Sequence, residues 1–209
     1  MGAAGSRATE WAGWVFWGLY LGLLLLALAA TLTFSPLKAS YDWRHVLHIG
    51  AGTLYLALAP FQFIGAIRQR FPVYHRLAGR GLVAAAILTI FATLAIHTTP
   101  LGTQTIPSQT TLLMIWLASL VAAIWCIRHG DVVWHQRHMA RALVAGAYFL
   151  LIRMFDRLIG ADAILGFEPD ASVRFANSDW LGWIVPMLIV ELFMVLTTGG
   201  KGRPRPSGP

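Results

Sequence analysis

The sequence predicts an all-α polytopic membrane bundle of six spans with both termini cytoplasmic, and three observations carry that reading. Hydrophobic residues make up 57% of the 209 and charged residues 12%, against roughly 25% charged in soluble domains. No soluble domain of this size could hide so much apolar surface, so lipid is the solvent for most of the chain. The apolar residues fall in runs near the roughly 17–25 residues that a bilayer core requires. The basic residues behind the net charge of +7 lie in short segments between those runs. That pattern belongs to membrane topology and attraction to anionic lipid, not to nucleic acid.

Taken in order, the first span is Trp11–Phe34. Its "LALAA" imitates a signal-peptidase site, but the run is too long and too rich in tryptophan for a signal peptide. The second, Val46–Ile67, contains Pro60, which removes a backbone donor and predicts a kink just above Gln62. Gly81–Ile96 and Thr110–Ile127 follow. The fifth, Met139–Ile159, is preceded by Asp131 after Gly130, which reads as a helix N-cap. The sixth is Trp180–Thr198, with Pro186 inside it. Residues 1–198 make one domain, and 199–209, "GGKGRPRPSGP", form a tail too poor in apolar groups to fold. Trp11, Trp14, Trp17, Trp180 and Trp183 read as interfacial belt residues.

Orientation follows from the basic residues. Arg7, Arg68, Arg70, Arg76, Arg80, Arg128, Arg137, Arg141, Lys201, Arg203 and Arg205 fall on one side, which the positive-inside rule makes cytoplasmic. The connections "SPLKASYDWR", "PLGTQTIPSQ" and "GADAILGFEPDASVRFANSD" fall on the other. The single cysteine, Cys126, excludes an intrachain disulfide and a cysteine zinc site.

Polar residues inside the spans are informative, because each is costly in lipid unless partnered. His48, Tyr55 and Gln62 recur every seven residues on one helical face, with Gly52 among them. Arg153 falls in the outer third of the fifth span, at the depth of His48. Glu191, counted from Trp180, falls near the midplane. Tyr55, Gln62, Arg153 and Glu191 are therefore the expected buried polar network. His75 and Arg76, with His135, His138 and Arg141 of "HGDVVWHQRHMAR", gather at the cytoplasmic threshold as an expected haem or anion site. No phosphate loop, nucleophile elbow, zinc-protease motif or carboxylate pair is present.

"HIGAGTLYLALAPFQF", "RQRFPVYHRLAGR", "HQRHMARAL", "LIR" and "GWIVPMLIVELF" together resemble the bacterial membrane proteins grouped as domain of unknown function 2306. The resemblance runs from His45 to Leu192. It assigns characteristic positions to His48, Pro60, Gln62, His75, Arg76, Gly79, Arg80, His135, Met139, Arg141, Arg153, Trp183, Pro186 and Glu191. His138 stands where the family usually has tryptophan, and Met187 where it has asparagine. The resemblance implies a multi-pass protein of the bacterial cytoplasmic (inner) membrane and supplies no activity.

Three functions stay open. In the first, histidines on different helices (His75 with His135 or His138, and His48 with His97) ligate b-type haem, with arginines pairing its propionates and haem iron the only metal. In the second, the chain is a non-catalytic subunit of a larger membrane complex or a homo-oligomer, its glycine faces packing on partners. In the third, the kinked second and sixth helices handle lipid or a transported solute around Glu191. Whether the protein is an enzyme stays open with them.

Overall fold

The computed structural model describes residues 42–97, 103–158 and 165–198, with Gly18, Gly22 and Leu25 as isolated positions. The expected first span and the tail lie outside the described residues, as do the side chains of Pro60 and Arg153. All regular structure in the described residues is helical: α1 Trp43–Leu58, α2 Pro60–Phe63, α3 Gly65–Arg70, α4 Pro72–Ile96, α5 Ile106–Arg128, α6 Val132–Leu158 and α7 Ala171–Thr198.

Every long helix starts before its apolar run, because its cap sits outside the apolar stretch. Asp42 caps α1 by accepting from the backbone N–H of Arg44 at 3.0 Å. Asp131 caps α6, as its place after Gly130 predicts, accepting from Trp134 N at 3.0 Å. Asp170 caps α7 through Ser172 N at 2.7 Å. Pro72 in the first turn of α4 and Pro107 in that of α5 need no N–H there. The segment expected as the basic loop "RQRFPVYHRLAGR" is thus mostly helix. At the kink expected around Pro60 the helix is interrupted only at Ala59, which keeps helical φ/ψ, and the full break falls at Ile64, whose extended backbone separates α2 from α3.

The long helices run antiparallel. At one end Arg44 Nη1 donates to Ala95 O at 3.3 Å and His97 meets Gln109. At the other, His75 meets Phe61 and the turn at Gly130 joins α5 to α6. Gly130 has φ 79°, a left-handed conformation that suits glycine at a helix end. Packing is closest for α1 on α4, α5 on α6 and α6 on α7.

Small residues at the crossings let the backbones approach: Ala59, Ala86, Ala123 and Ala142 have no exposure at all. The centre is Tyr55, which rests on Gly146, meets Trp116 edge-on with ring centroids 4.9 Å apart, and donates to Ala142 O at 2.7 Å. Trp183, expected in the interfacial belt, is in this core, its indole N–H donating to Ser108 Oγ at 3.0 Å.

The outer faces are apolar instead of polar. On α7, Leu188, Ile189, Leu192, Phe193 and Leu196 are all exposed, as are Ile87, Leu88 and Phe91 on α4. Four helical stretches among the described residues are long and apolar enough to cross a membrane: Trp43–Phe63, Pro72–Ile96, Ile106–Arg128 and Ala171–Leu196. The 27-residue α6 packs between α5 and α7 but is not one of them. Arg137 and Arg141 near its start and Arg153, Asp156 and Arg157 near its end leave too short an apolar stretch.

Candidate functional site

Between α1, α4, α5 and α6, at the His97 end of the bundle, lies a cavity of about 250 Å³. Gly52 and Gly146 are among the residues that line it. Leu56, Leu112 and Trp116 make much of its wall, and His48, Thr93, His97, Gln109 and Tyr148 supply polar groups. A mostly apolar concavity with a few convergent polar groups is the usual form of a small-molecule site.

The polar groups are wired together. The Thr93 hydroxyl donates to Thr89 O at 2.8 Å, so it accepts from His48 Nδ1 at 2.9 Å. His97 Nε2 donates to Gln109 Oε1 at 2.8 Å, and Gln109 Nε2 donates to Asp179 Oδ1 at 3.4 Å. Tyr148 donates its hydroxyl proton to the same Asp179 oxygen. Asp179 is 3% exposed, and its Oδ2 has no hydrogen-bond partner among the described residues.

Asp179 escaped the sequence reading because it was assigned to the loop before Trp180. The available signal was "PDAS", in which Asp170 caps a helix that carries Asp179 into the bundle. The Ser172 hydroxyl bond holds the Asp170 carboxyl below its ordinary range, as an anion at a helix N-terminus should be. Asp42, capping α1, is likewise held well below the ordinary carboxylate range by Arg44, whose Nε donates to its Oδ2 at 2.6 Å.

The other expected site residues are distributed differently. Gln62 Nε2 donates to His75 O at 3.0 Å, and His75 Nδ1 faces Phe61 O at 3.1 Å. This reciprocal pair staples α2 to the start of α4. Gly79 makes room for it, since a Cβ there would lie 3.0 Å from Gln62 Oε1. Arg76 and Arg80 are exposed.

His135 Nδ1 donates to Ala123 O at 2.9 Å, tying α6 to α5. Arg141 grips Glu191 of α7 through both Nε and Nη2, the latter to Oε2 at 2.9 Å, and its Nη1 donates to His138 Nδ1 at 3.3 Å. Glu191 is therefore held at the arginine-rich end of the bundle. Helix α7 starts at Ala171, so Glu191 is roughly 30 Å along it. Tyr55, Gln62 and Glu191 are held in three separate places, each by different partners. Among the described residues no three histidine, cysteine or acidic side chains form a group able to hold a metal ion.

No curated protein and no solved structure matches this chain. The family model described as a predicted membrane protein, domain of unknown function 2306, matches residues 45–194, which include both the cavity and the Arg141–Glu191 pair. On that match, over most of its length, the chain belongs to this family of predicted membrane proteins.

Proposed function

We propose that this is a membrane-embedded binding protein that handles a small amphipathic molecule in the His48–His97 cavity. The observation that carries the reading is the convergence of four helices on one apolar cavity whose polar groups are already ordered. At about 250 Å³ the cavity is just below the roughly 300–1,000 Å³ typical of ligand pockets, so the ligand is small. In this reading the protein lies in a bacterial cytoplasmic membrane with six spans, and α6, short of apolar length, crosses packed between α5 and α7. Its arginine-rich end and both termini face the cytoplasm. Labelling with a short alkyl diazirine in membranes tests the site. Cross-links should map to α1 and α6 around Gly52 and Gly146, and should vanish in Gly52→Phe but persist in Gly50→Phe. Labels spread evenly over the lipid-facing surfaces would remove the reading.

A b-type haem near His75 and His135 is the second reading, and one observation favours it. Each ring has its Nδ1 on a backbone carbonyl, the arrangement that commonly orients a metal-ligating imidazole through Nε2. Arg76 is available to a propionate, whereas Arg141 and His138 are engaged with Glu191 and with each other. An absorption spectrum of the purified protein decides: a Soret band that His75→Ala and His135→Ala each abolish supports haem, and no band rules it out.

A further inference from the structure

Tyr148, Gln109, His97, Thr93, Thr89 and His48, six of the groups that line the cavity, each give a hydrogen to a protein acceptor. Tyr148 donates to Asp179, Gln109 donates to Asp179, and His97 Nε2 donates to Gln109. Thr93 donates to Thr89 O, and Thr89 donates to Ala85 O. His48 Nδ1 is turned to Thr93. The Gln109 orientation is not arbitrary, because the flipped amide would set its oxygen against the Asp179 carboxylate. Apart from the second N–H of Gln109, these groups therefore meet a ligand as acceptors.

Behind them stands Asp179, buried, with one oxygen held by two uncharged donors and the other unpartnered. No cation neutralises it among the described contacts. At the same end Arg44 is tied to Asp42, and His45 Nδ1 is 3.0 Å from the same carboxylate. The wall is thus acceptor-rich with an uncompensated acid behind it, and in a medium of low dielectric that field favours a positive charge in the adjacent space.

We propose that the cavity recognises a protonated lipophilic amine. Its ammonium faces Tyr148 and Gln109 in front of Asp179, and its hydrocarbon lies along Leu56, Leu112 and Trp116. This rests on the binding reading above and specifies the ligand class.

The test is isothermal titration calorimetry of the full chain in nonionic maltoside micelles near neutral pH, with empty-micelle heats subtracted. Three probes of equal length are used: hexylamine, hexanol and hexanoate. Hexylamine is expected to bind at least about tenfold more tightly than hexanol, and hexanoate more weakly than either. Asp179→Asn is expected to bring amine and alcohol within about threefold of each other while hexanol binding persists. If that variant does not fold, the wild-type comparison decides alone. Hexanol or hexanoate binding as tightly as hexylamine, or an amine preference undiminished in Asp179→Asn, overturns the amine assignment and leaves the binding reading standing. No binding of any probe to folded protein overturns both.

Discussion

Arg141 on α6 and Glu191 on α7 form a two-point ion pair, with the Arg141 side chain 21% and the Glu191 side chain 37% exposed on an apolar bundle. The pair joins α7 to the start of α6, where His135, Arg137, His138 and Arg141 follow an exposed apolar first turn of Val132, Val133 and Trp134. Each ion also cancels the charge that would make the other costly there. Removing one partner leaves the other uncompensated, so Arg141→Ala and Glu191→Ala should each cost about 1–3 kcal/mol, less than a fully buried pair because both side chains are partly exposed. The double charge swap Arg141→Glu/Glu191→Arg should recover part of that loss. Equilibrium unfolding in mixed micelles measures both. Additive single and double variants would show that the pair is not coupled.

Tyr55 leaves no space on α6. A Cβ at Gly146 would lie 2.2 Å from Tyr55 Cε1 and 2.7 Å from Trp116 Cζ2, two rigid rings in the core. Gly146→Ala should therefore destabilise by about 1–3 kcal/mol through overpacking. Gly50→Ala, where a Cβ would meet nothing within 4 Å, should gain up to about 1 kcal/mol of helix propensity. Thermal unfolding in detergent gives the comparison, and equal behaviour of the two variants would contradict the packing at Gly146.

Sequence reasoning recovers this bundle where the physics is local and one-dimensional. Apolar run length finds α1, α4, α5 and α7, because lipid imposes a length on any helix that crosses it. It sets their starts too late, since Pro72 and Asp170 lie beyond the apolar stretch that was counted. That offset hides Asp179, which lies within α7. His48, Gly52 and Tyr55 share a face as their spacing indicates. What each touches depends on which helices neighbour α1, and spacing along one helix does not encode that. The cavity was invisible for the same reason: its polar groups come from four helices, and Gln109 and Tyr148 have nothing distinctive beside them in the chain.

The His75–Gln62 staple makes the break at Ile64 a defined corner. His75 Nδ1 serves the Phe61 carbonyl, which the end of α2 leaves over, and Gln62 adds a bond to the His75 carbonyl in the first turns of α4. Gln62→Ala and His75→Ala should each lose about 1 kcal/mol. Amide hydrogen exchange should rise over residues 61–71 while the core near Tyr55 stays protected. Unchanged exchange at the corner would mean that other contacts hold it.

The two ends of the bundle differ in charge, and this difference predicts how the protein is oriented. Exposed Arg68, Arg70, Arg76, Arg80 and Arg128 cluster at the Gly130 end, with Arg137 stacked on Trp134 at 4.7 Å. At the opposite end Arg44 is neutralised by Asp42, and Arg174 Nη1 donates to Glu168 O at 2.6 Å. Arginines near span ends are retained on the cytoplasmic side, so Glu168 should lie outside and Arg70 inside. Cys126 is the chain's one cysteine, and Cys126→Ser gives a background for single reporters. In sealed cells a membrane-impermeant maleimide should label Glu168→Cys at once, and Arg70→Cys only after permeabilisation. Labelling of Arg70→Cys in intact cells would invert the bundle and move the His48–His97 cavity to the cytoplasmic half.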